Sequence, residues 1–200
     1  MKVLPLASVI GLLMLTTLSP HAAAENAVYV TPYFGYSFSE SASDENGSRV
    51  RVQDDPHLAL ALETDMDNGR VGLFISHQPT EMKGIQGDGS LTYVHFQSAV
   101  RYQTYPQVDT IFGLSLGTTV SQVDWLDEDL LFSAGVFTGA EYKISHNTRL
   151  VFEARWLANR LDGQSKRDCQ LQSSGADCQI RFDSEWLSQW QTNLGLSISF

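Results

Sequence analysis

Apolar and polar positions alternate with a period of two along most of the chain after residue 25, a period typical of β-strands. The alternation predicts eight strands, each with an apolar face and a polar face. Large side chains dominate the apolar faces, for example Phe34, Phe38, Leu58, Leu62, Leu73, Phe96, Phe112, Leu114, Phe132, Phe152, Trp190, Leu194 and Ile198. Small and polar residues occupy the other faces, together with the charged residues that lie mid-strand. No part of this region shows a helical period.

The connections between the predicted strands alternate between short and long. The short connections are residues 67–69, 105–109 and 144–148, and the long ones are residues 40–56, 79–89, 123–129 and 162–182. The dipeptide Asn68-Gly69 predicts a two-residue hairpin turn. Counting outward from the short turns predicts the cross-strand pairs Met66–Val71, Tyr102–Phe112 and Tyr142–Leu150. All six residues are apolar, so this register keeps paired strands facing the same way.

Eight amphipathic strands are compatible with a soluble sandwich, a lipocalin-like barrel or a membrane barrel. An inward apolar face would place three tryptophans and about nine other aromatic rings inside an eight-stranded barrel, which is too narrow for them. In the inverted arrangement the small and polar face fills the lumen. Charges on a lipid-facing surface cost about 2–4 kcal/mol at mid-bilayer, and the apolar face carries none there. The pattern therefore predicts an all-β, eight-stranded antiparallel up-and-down transmembrane barrel, in which about nine to eleven residues of each tilted strand span the apolar layer.

The first 24 residues have the features of a secretory signal peptide. Lys2 is a short basic region, residues 3–18 are mostly apolar, and small residues at 22–24 fit a cleavage site. A membrane-anchoring helix is the alternative, but the apolar run is short for it. We therefore assign residues 1–24 to a signal peptide and residues 25–200 to the barrel domain. The formal net charge is −10, and removing Lys2 makes it −11, an acidity that argues against nucleic-acid binding.

The chain ends with the alternating run NLGLSISF. Because lipid cannot satisfy an unpaired strand edge, the last strand must pair with the first and close the sheet. Signal peptide, eight alternating strands and the final Phe200 together resemble the small outer-membrane barrels typified by the OmpA transmembrane domain, OmpX and the opacity proteins. The resemblance covers the whole mature chain, without the periplasmic domain of full-length OmpA.

This resemblance implies a monomer in the outer membrane of a Gram-negative bacterium, in contact with membrane lipid and lipopolysaccharide. It also implies that periplasmic chaperones and the barrel-assembly machinery handle the chain during biogenesis. In such barrels the machinery reads the last strand, and the positions that match its alternating signal are Leu194, Leu196, Ile198 and Phe200.

Charged residues on the inward face predict an ion-pair network in the lumen, made of Glu63, Arg101, Glu141, Glu153 and Arg155. Arg101 and Arg155 are expected to pair with the three glutamates, with Asp65, Lys143 and Arg149 lower down. Such a network would plug the narrow interior. An ion path is the alternative.

Two further groups of residues have predicted roles. Cys169 and Cys178 are expected to form a disulfide in an oxidising compartment. A metal or redox pair is the alternative, although the spacing is not CxxC and no histidine is close. The predicted aromatic girdle consists of Trp156, Trp186, Trp190, Tyr102 and Tyr142. No cofactor or metal is predicted.

These observations predict a structural or surface-interaction protein that acts through its extracellular loops. A small porin-like channel and a lipid-A-modifying enzyme remain alternatives. No serine and carboxylate share a face with a histidine at strand spacing, so no catalytic residue is assigned, and only a triad drawn from distant strands would change this. The first loop, residues 40–56, is expected to be solvated and flexible, with divalent-cation or lipopolysaccharide binding as the alternative.

Overall fold

The computed structural model describes residues 27–39, 41–43, 49–51, 54–81, 88–123, 130–160, 166–170, 177–181 and 186–200. Eight of its twelve strands form a closed barrel. The barrel strands are β1 Val28–Ser39, β4 Asp55–Met66, β5 Gly69–Glu81, β6 Asp88–Tyr105, β7 Val108–Val123, β8 Leu130–Lys143, β9 Thr148–Arg160 and β12 Trp186–Ser199. In these ranges no helix is long and apolar enough to cross a membrane.

The barrel is antiparallel throughout, in the order β1-β12-β9-β8-β7-β6-β5-β4 and back to β1. The first and last strands close it. The amide of Val28 donates to the carbonyl of Phe200 at 3.2 Å, and the amide of Phe200 donates to the carbonyl of Val28 at 3.0 Å. The all-β eight-stranded fold and the closure of the last strand on the first are therefore confirmed.

The two faces of the barrel lie as the alternation predicts. Large apolar side chains point outward and are exposed, with Phe34 at 63%, Leu114 at 58% and Phe96 at 57%. Polar and charged side chains point inward and are buried, among them Glu141, Glu153 and Arg155. Such an exterior suits hydrocarbon and would be costly in water.

The lumen is less polar than we expected from the sequence. Tyr33, Phe74, Ile111 and Val151 form an apolar cluster inside the barrel with two alanines, and Leu157 and Phe137 are also buried there. The expectation of a small and polar interior is thus wrong in part. Strands such as β5 and β7 carry apolar residues on both faces. The outward apolar residues set the two-residue alternation, so the inward apolar residues are not recognised from it.

The barrel strands contain 12 to 18 residues, more than the about nine to eleven that span the apolar layer. Two of the predicted pairs are wrong, because Met66 pairs with Gly69 and Phe112 with Val100. Each error is two residues, and an even shift leaves the facing unchanged. The third pair, Tyr142 with Leu150, is confirmed.

The first short turn has Asp67 and Asn68 at its centre, one residue earlier than the Asn-Gly dipeptide suggests. Asp67 adopts φ of 44°, in the left-handed region that aspartate tolerates better than most residues. Gly69 is already paired in β5, where a Cβ would overlap the carbonyl oxygen of Ala99. Glycine is therefore needed for close approach of the strands here and not for the turn.

Two long connections contain further hairpins. In the first connection β2 (Ser41–Ser43) pairs with β3 (Arg49–Arg51), and in the last β10 (Lys166–Gln170) pairs with β11 (Asp177–Arg181). The first connection, expected to be a solvated and flexible loop, thus contains a short hairpin. These short polar strands have no alternation of apolar side chains. Backbone pairing alone defines them, and the side-chain pattern of the sequence does not show it.

Candidate functional site in the barrel lumen

Three arginines surround one tyrosine ring at the end of the lumen that carries the short turns. The guanidinium carbons of Arg70, Arg149 and Arg101 lie 3.7, 5.3 and 5.9 Å from the centroid of the Tyr29 ring. The Tyr29 hydroxyl donates to Asp65 at 3.0 Å. We call Arg70, Arg101, Arg149 and Tyr29 the arginine cluster. The negative face of an aromatic ring attracts cations, which helps three like charges to share this space.

One buried carboxylate, Glu141, lies close to all three arginines. Arg70 donates to both of its oxygens, at 2.6 and 3.1 Å. Arg101 approaches it at 3.6 Å and Arg149 at 3.9 Å. Arg70 also lies 3.7 Å from Glu63. Glu141 therefore links the cluster, and its bidentate contact to Arg70 is the strongest ion pair there.

Arg155 occupies the middle of the lumen between two rings. Its guanidinium carbon lies 3.7 Å from the Phe74 centroid and 4.2 Å from the Phe137 centroid. Its Nε donates to Glu153 at 2.9 Å, and the remaining nitrogens donate to Gln97 at 2.8 Å and Ser115 at 3.3 Å. The fully buried charge is thus paired and hydrogen-bonded, as a buried charge must be.

The structure divides the five predicted network residues between these two layers. Arg155 contacts Glu153, and Arg101 contacts Glu141 and, at 3.6 Å, Asp65. The cation nearest Glu63 is Arg70. The predicted network did not include Arg70, which directly follows the predicted turn at 67–69. Its place directly after the turn, at an inward position, was the signal that could have identified it.

A second chain of hydrogen bonds joins Ser37, His57, Asn193 and Glu153, and we call it the histidine relay. Ser37 Oγ lies 2.8 Å from His57 Nδ1, and His57 Nε2 lies 2.6 Å from Asn193 Oδ1. Asn193 Nδ2 donates to Glu153 at 3.0 Å. The sequence left open only an arrangement drawn from distant strands, and the relay is of that kind. The residues come from β1, β4, β9 and β12, and only closure of the barrel makes them neighbours.

The relay has a defined direction. A carboxylate only accepts, so the amide nitrogen of Asn193 must face Glu153 and its oxygen must face His57. His57 Nε2 then carries the proton, and Nδ1 accepts from the Ser37 hydroxyl. Burial of Ser37 and His57, 0% and 2% exposed, keeps this arrangement out of contact with solvent.

Gly35 makes the relay possible. It is the register partner of His57 on one side and of Asn193 on the other. A Cβ on Gly35 would overlap the His57 ring and lie 2.5 Å from Asn193 Oδ1. The missing side chain lets the two groups hydrogen-bond across the strand that separates them.

Neutral side chains connect the layer nearer the long loops. Gln189 donates to Gln78 at 2.6 Å, and the Tyr93 hydroxyl donates to Gln189 at 3.3 Å. Asn159 donates to that hydroxyl at 3.1 Å and accepts from Thr119 at 2.7 Å. No charged group takes part in this chain of hydrogen bonds.

Little space remains between these layers. A cavity of about 10 Å³ lies between the arginine cluster and Arg155, lined by Tyr33, Glu63, Arg70, Gln97 and Glu141 among others. This volume is about enough for one water molecule. In the strands that the structure describes, the interior is therefore occupied by side chains at this level.

The other predicted residues lie on the outside or in the loops. Trp186 and Trp190 are exposed near the long-loop end, with Trp156 paired to Trp190. Tyr102 and Tyr142 are exposed near the short-turn end. Leu194, Leu196, Ile198 and Phe200 all face outward on or beside β12. Cys169 and Cys178 are direct register partners in the β10–β11 hairpin, while residues 1–24 lie outside the described part of the chain.

Comparison with known proteins identifies the fold. No family model matches the chain, and no curated protein matches it in sequence. Solved structures do match: Neisserial surface protein A has a TM-score of 0.61 and 16% identity, over 88% of this chain and all of that one. OprG of Pseudomonas aeruginosa, an outer membrane protein, has a TM-score of 0.61 and 11% identity, over 88% and 96%. This chain has the fold of the small eight-stranded outer-membrane barrels.

A third match is the outer membrane protein AlkL, with a TM-score of 0.51 and 13% identity, over 94% of this chain and 97% of that one. Identities this low support the fold and no shared activity. The apolar exterior of this chain is what an outer-membrane barrel needs, and the protein belongs in the outer membrane of a Gram-negative bacterium. In such barrels the short turns face the periplasm and the long loops face outside. The arginine cluster is therefore at the periplasmic end of the lumen, and the histidine relay lies further outward.

Proposed function

We propose that this outer-membrane barrel is closed to solutes and acts as a structural and surface-interaction protein through its outer loops. The observation that carries the proposal is the filled lumen, with Arg155 held between two rings and a remaining cavity of about 10 Å³. Hydrated ions need a wider path than one water molecule. A small channel is therefore the less favoured reading.

Single-channel recording in a planar bilayer tests closure. We expect no steady openings from the wild-type protein. Glu153→Ala removes the partner of Arg155 and Asn193, and should give rare openings together with lower thermal stability. Leu114→Ala, on the lipid face, is the matched control and should give none. Steady, large wild-type currents would favour the channel instead.

The outer loops are the proposed contact surface, and a disulfide between Cys169 and Cys178 would hold one of them. Their direct pairing in the β10–β11 hairpin supports the bond, because directly paired residues have Cβ atoms about 4.5–5.5 Å apart, near disulfide geometry. Thiol titration of the unfolded protein should detect two thiols only after reduction. Free thiols in the unreduced protein would contradict this, whereas loss of the bond should leave the barrel folded.

We also propose that the last strand is read by the barrel-assembly machinery and that the barrel is a monomer in contact with lipid and lipopolysaccharide. The alternate outward residues of β12 and the hydrogen bonds between Phe200 and Val28 support this. Deletion of Phe200 should leave precursor in the periplasm, with Leu114→Ala as a control that assembles. Normal membrane yield of the truncated protein would refute a role in assembly.

The histidine relay supports a second candidate function, acyl-ester hydrolysis. Ser37 Oγ would attack an ester carbonyl while its proton passes to His57 Nδ1 and then to the leaving alcohol, and water would release the acyl group from Ser37. The burial of Ser37 makes this the weaker candidate. A fluorophosphonate probe decides it: labelling that is lost in Ser37→Ala and kept in Ser115→Ala, whose hydroxyl contacts His95, would favour an enzyme.

A further inference from the structure

The periplasmic mouth of the lumen contains an open depression of about 450 Å³, lined by Gln107, Lys143, Ile144, Ser145, His146 and Arg149. None of these residues is acidic. Lys143 and Arg149 point into the barrel from the two strands that flank the turn at 144–147. The described lining is therefore rich in hydrogen-bond donors and carries positive charge.

Arg149 is the least satisfied cation of the arginine cluster. Among the described residues, its ion-pair contact is the 3.9 Å approach of Nε to Glu141, beyond hydrogen-bond distance. The Nε atom is buried and has no hydrogen-bond partner in the part of the chain that the structure describes. Glu141 already accepts two hydrogen bonds from Arg70 and lies near Arg101. Arg70 and Arg101 also have Glu63 at 3.7 Å and Asp65 at 3.6 Å, whereas the carboxylate near Arg149 is the shared Glu141, to which it makes no hydrogen bond, so Arg149 retains capacity for another anion.

The turn beside Arg149 is held in place by hydrogen bonds of its own. The Ile144 and Ser145 amides both donate to the carbonyl of Thr148, at 3.0 and 3.1 Å. Asn147 is tied to Ser199 through its carbonyl at 2.9 Å and its side chain at 3.2 Å. A turn fixed in this way loses little conformational entropy when it binds a ligand.

Gln107 is oriented by its neighbours as well. The Tyr142 hydroxyl donates to Gln107 Oε1 at 3.0 Å, which leaves the amide nitrogen available as a donor. Lys143 is shared with Asp109, whose carboxylate lies 3.0 Å from Nζ. Arg149 is thus the cation of the depression with the longest ion-pair distance, and Gln107 and Lys143 complete a donor set around it.

From these observations we propose that the depression binds an oxyanion, a carboxylate or phosphate group of a soluble periplasmic molecule, with Arg149 as its principal ligand. The planar guanidinium matches either group in a bidentate contact. The site is distinct from the outer loops and does not depend on whether the lumen conducts.

NMR titration of the folded protein in phosphatidylcholine nanodiscs tests the site. Inorganic phosphate and acetate are added separately at constant ionic strength, with chloride as the reference salt. We expect saturable shifts of the Arg149 side-chain Nε–H and of the amides at 143–149. A response to phosphate alone assigns the site to a phosphate-bearing ligand, and a response to acetate alone assigns it to a carboxylate-bearing one.

Substitutions separate a site from general electrostatics. Arg149→Gln should weaken binding roughly tenfold or more, the loss expected for a charge-assisted contact. Arg160→Gln, an exposed arginine at the opposite end of the barrel, should leave affinity unchanged. If Arg149→Gln does not fold, Lys143→Gln should still weaken binding severalfold. Shifts that grow linearly as with chloride, or equal affinity in the Arg149 or Lys143 variant and in Arg160→Gln, would overturn the proposal.

Discussion

The arginine cluster and the histidine relay fill neighbouring parts of one lumen in different ways. In the cluster, three cations share Glu141 at distances from 2.6 to 3.9 Å. In the relay, four side chains are linked by hydrogen bonds of 2.6 to 3.0 Å, and Glu153 Oε1 accepts from Arg155 as well. The cluster relies on charge and tolerates poor geometry, whereas the relay relies on geometry and tolerates little displacement.

This difference follows from distance dependence. Coulomb attraction falls off slowly between buried charges, so a carboxylate stabilises an arginine that it does not contact. A hydrogen bond weakens steeply when its length or angle changes. We therefore expect the cluster to respond most to loss of charge and the relay to respond most to a change of shape.

The largest effect should come from Glu141→Gln, which removes the shared charge and keeps the shape. Three arginines would lose their common partner, and a broken buried pair typically costs about 3–5 kcal/mol. Urea unfolding in lipid vesicles measures the free energy of unfolding. If Glu141→Gln costs no more than a surface substitution, charge does not stabilise the cluster.

Gly35→Ala should have the next largest effect, because it changes shape and leaves charge unchanged. The new methyl group would overlap His57 and Asn193, and overpacking of this kind costs about 1–3 kcal/mol. The same substitution in a His57→Ala background should cost less, since the overlap with the imidazole ring is then removed. Equal costs in the two backgrounds would show that Gly35 does not act by making room for His57.

Asp65→Asn should have the smallest effect and is the matched control for Glu141→Gln. Asp65 contacts Arg101 at 3.6 Å, but its side chain is 35% exposed. Exposed ion pairs contribute up to about 1 kcal/mol, and salt screens them. The unfolding free energies of the wild type and this variant should converge as salt rises, while the cost of Glu141→Gln should persist. A cost as large as that of Glu141→Gln would mean that burial does not set the strength of these pairs.

Particular residues show how far the sequence could be used to predict the site. Glu141, Glu153 and Arg155 were identifiable because charges in a lipid-facing barrel must point inward. Arg70 was missed because it directly follows the predicted turn at 67–69 and was not placed within a strand. Ser37 and Asn193 were missed because polar residues of ordinary type on separate strands give no local signal. Their contact depends on strand order and register, which single-strand alternation does not contain.

The sequence by itself determined the number of barrel strands, the facing of each one and the closure of the last strand on the first. These follow from a two-residue period and from the cost of charges and unpaired backbone in lipid. Tertiary structure decided the extra hairpins in the loops, the partners of each lumen side chain and the room that Gly35 leaves for the relay. Such features depend on distances between strands that are far apart in the chain. A two-residue shift in register between two strands keeps each side chain on the same face of the sheet but changes its cross-strand partner.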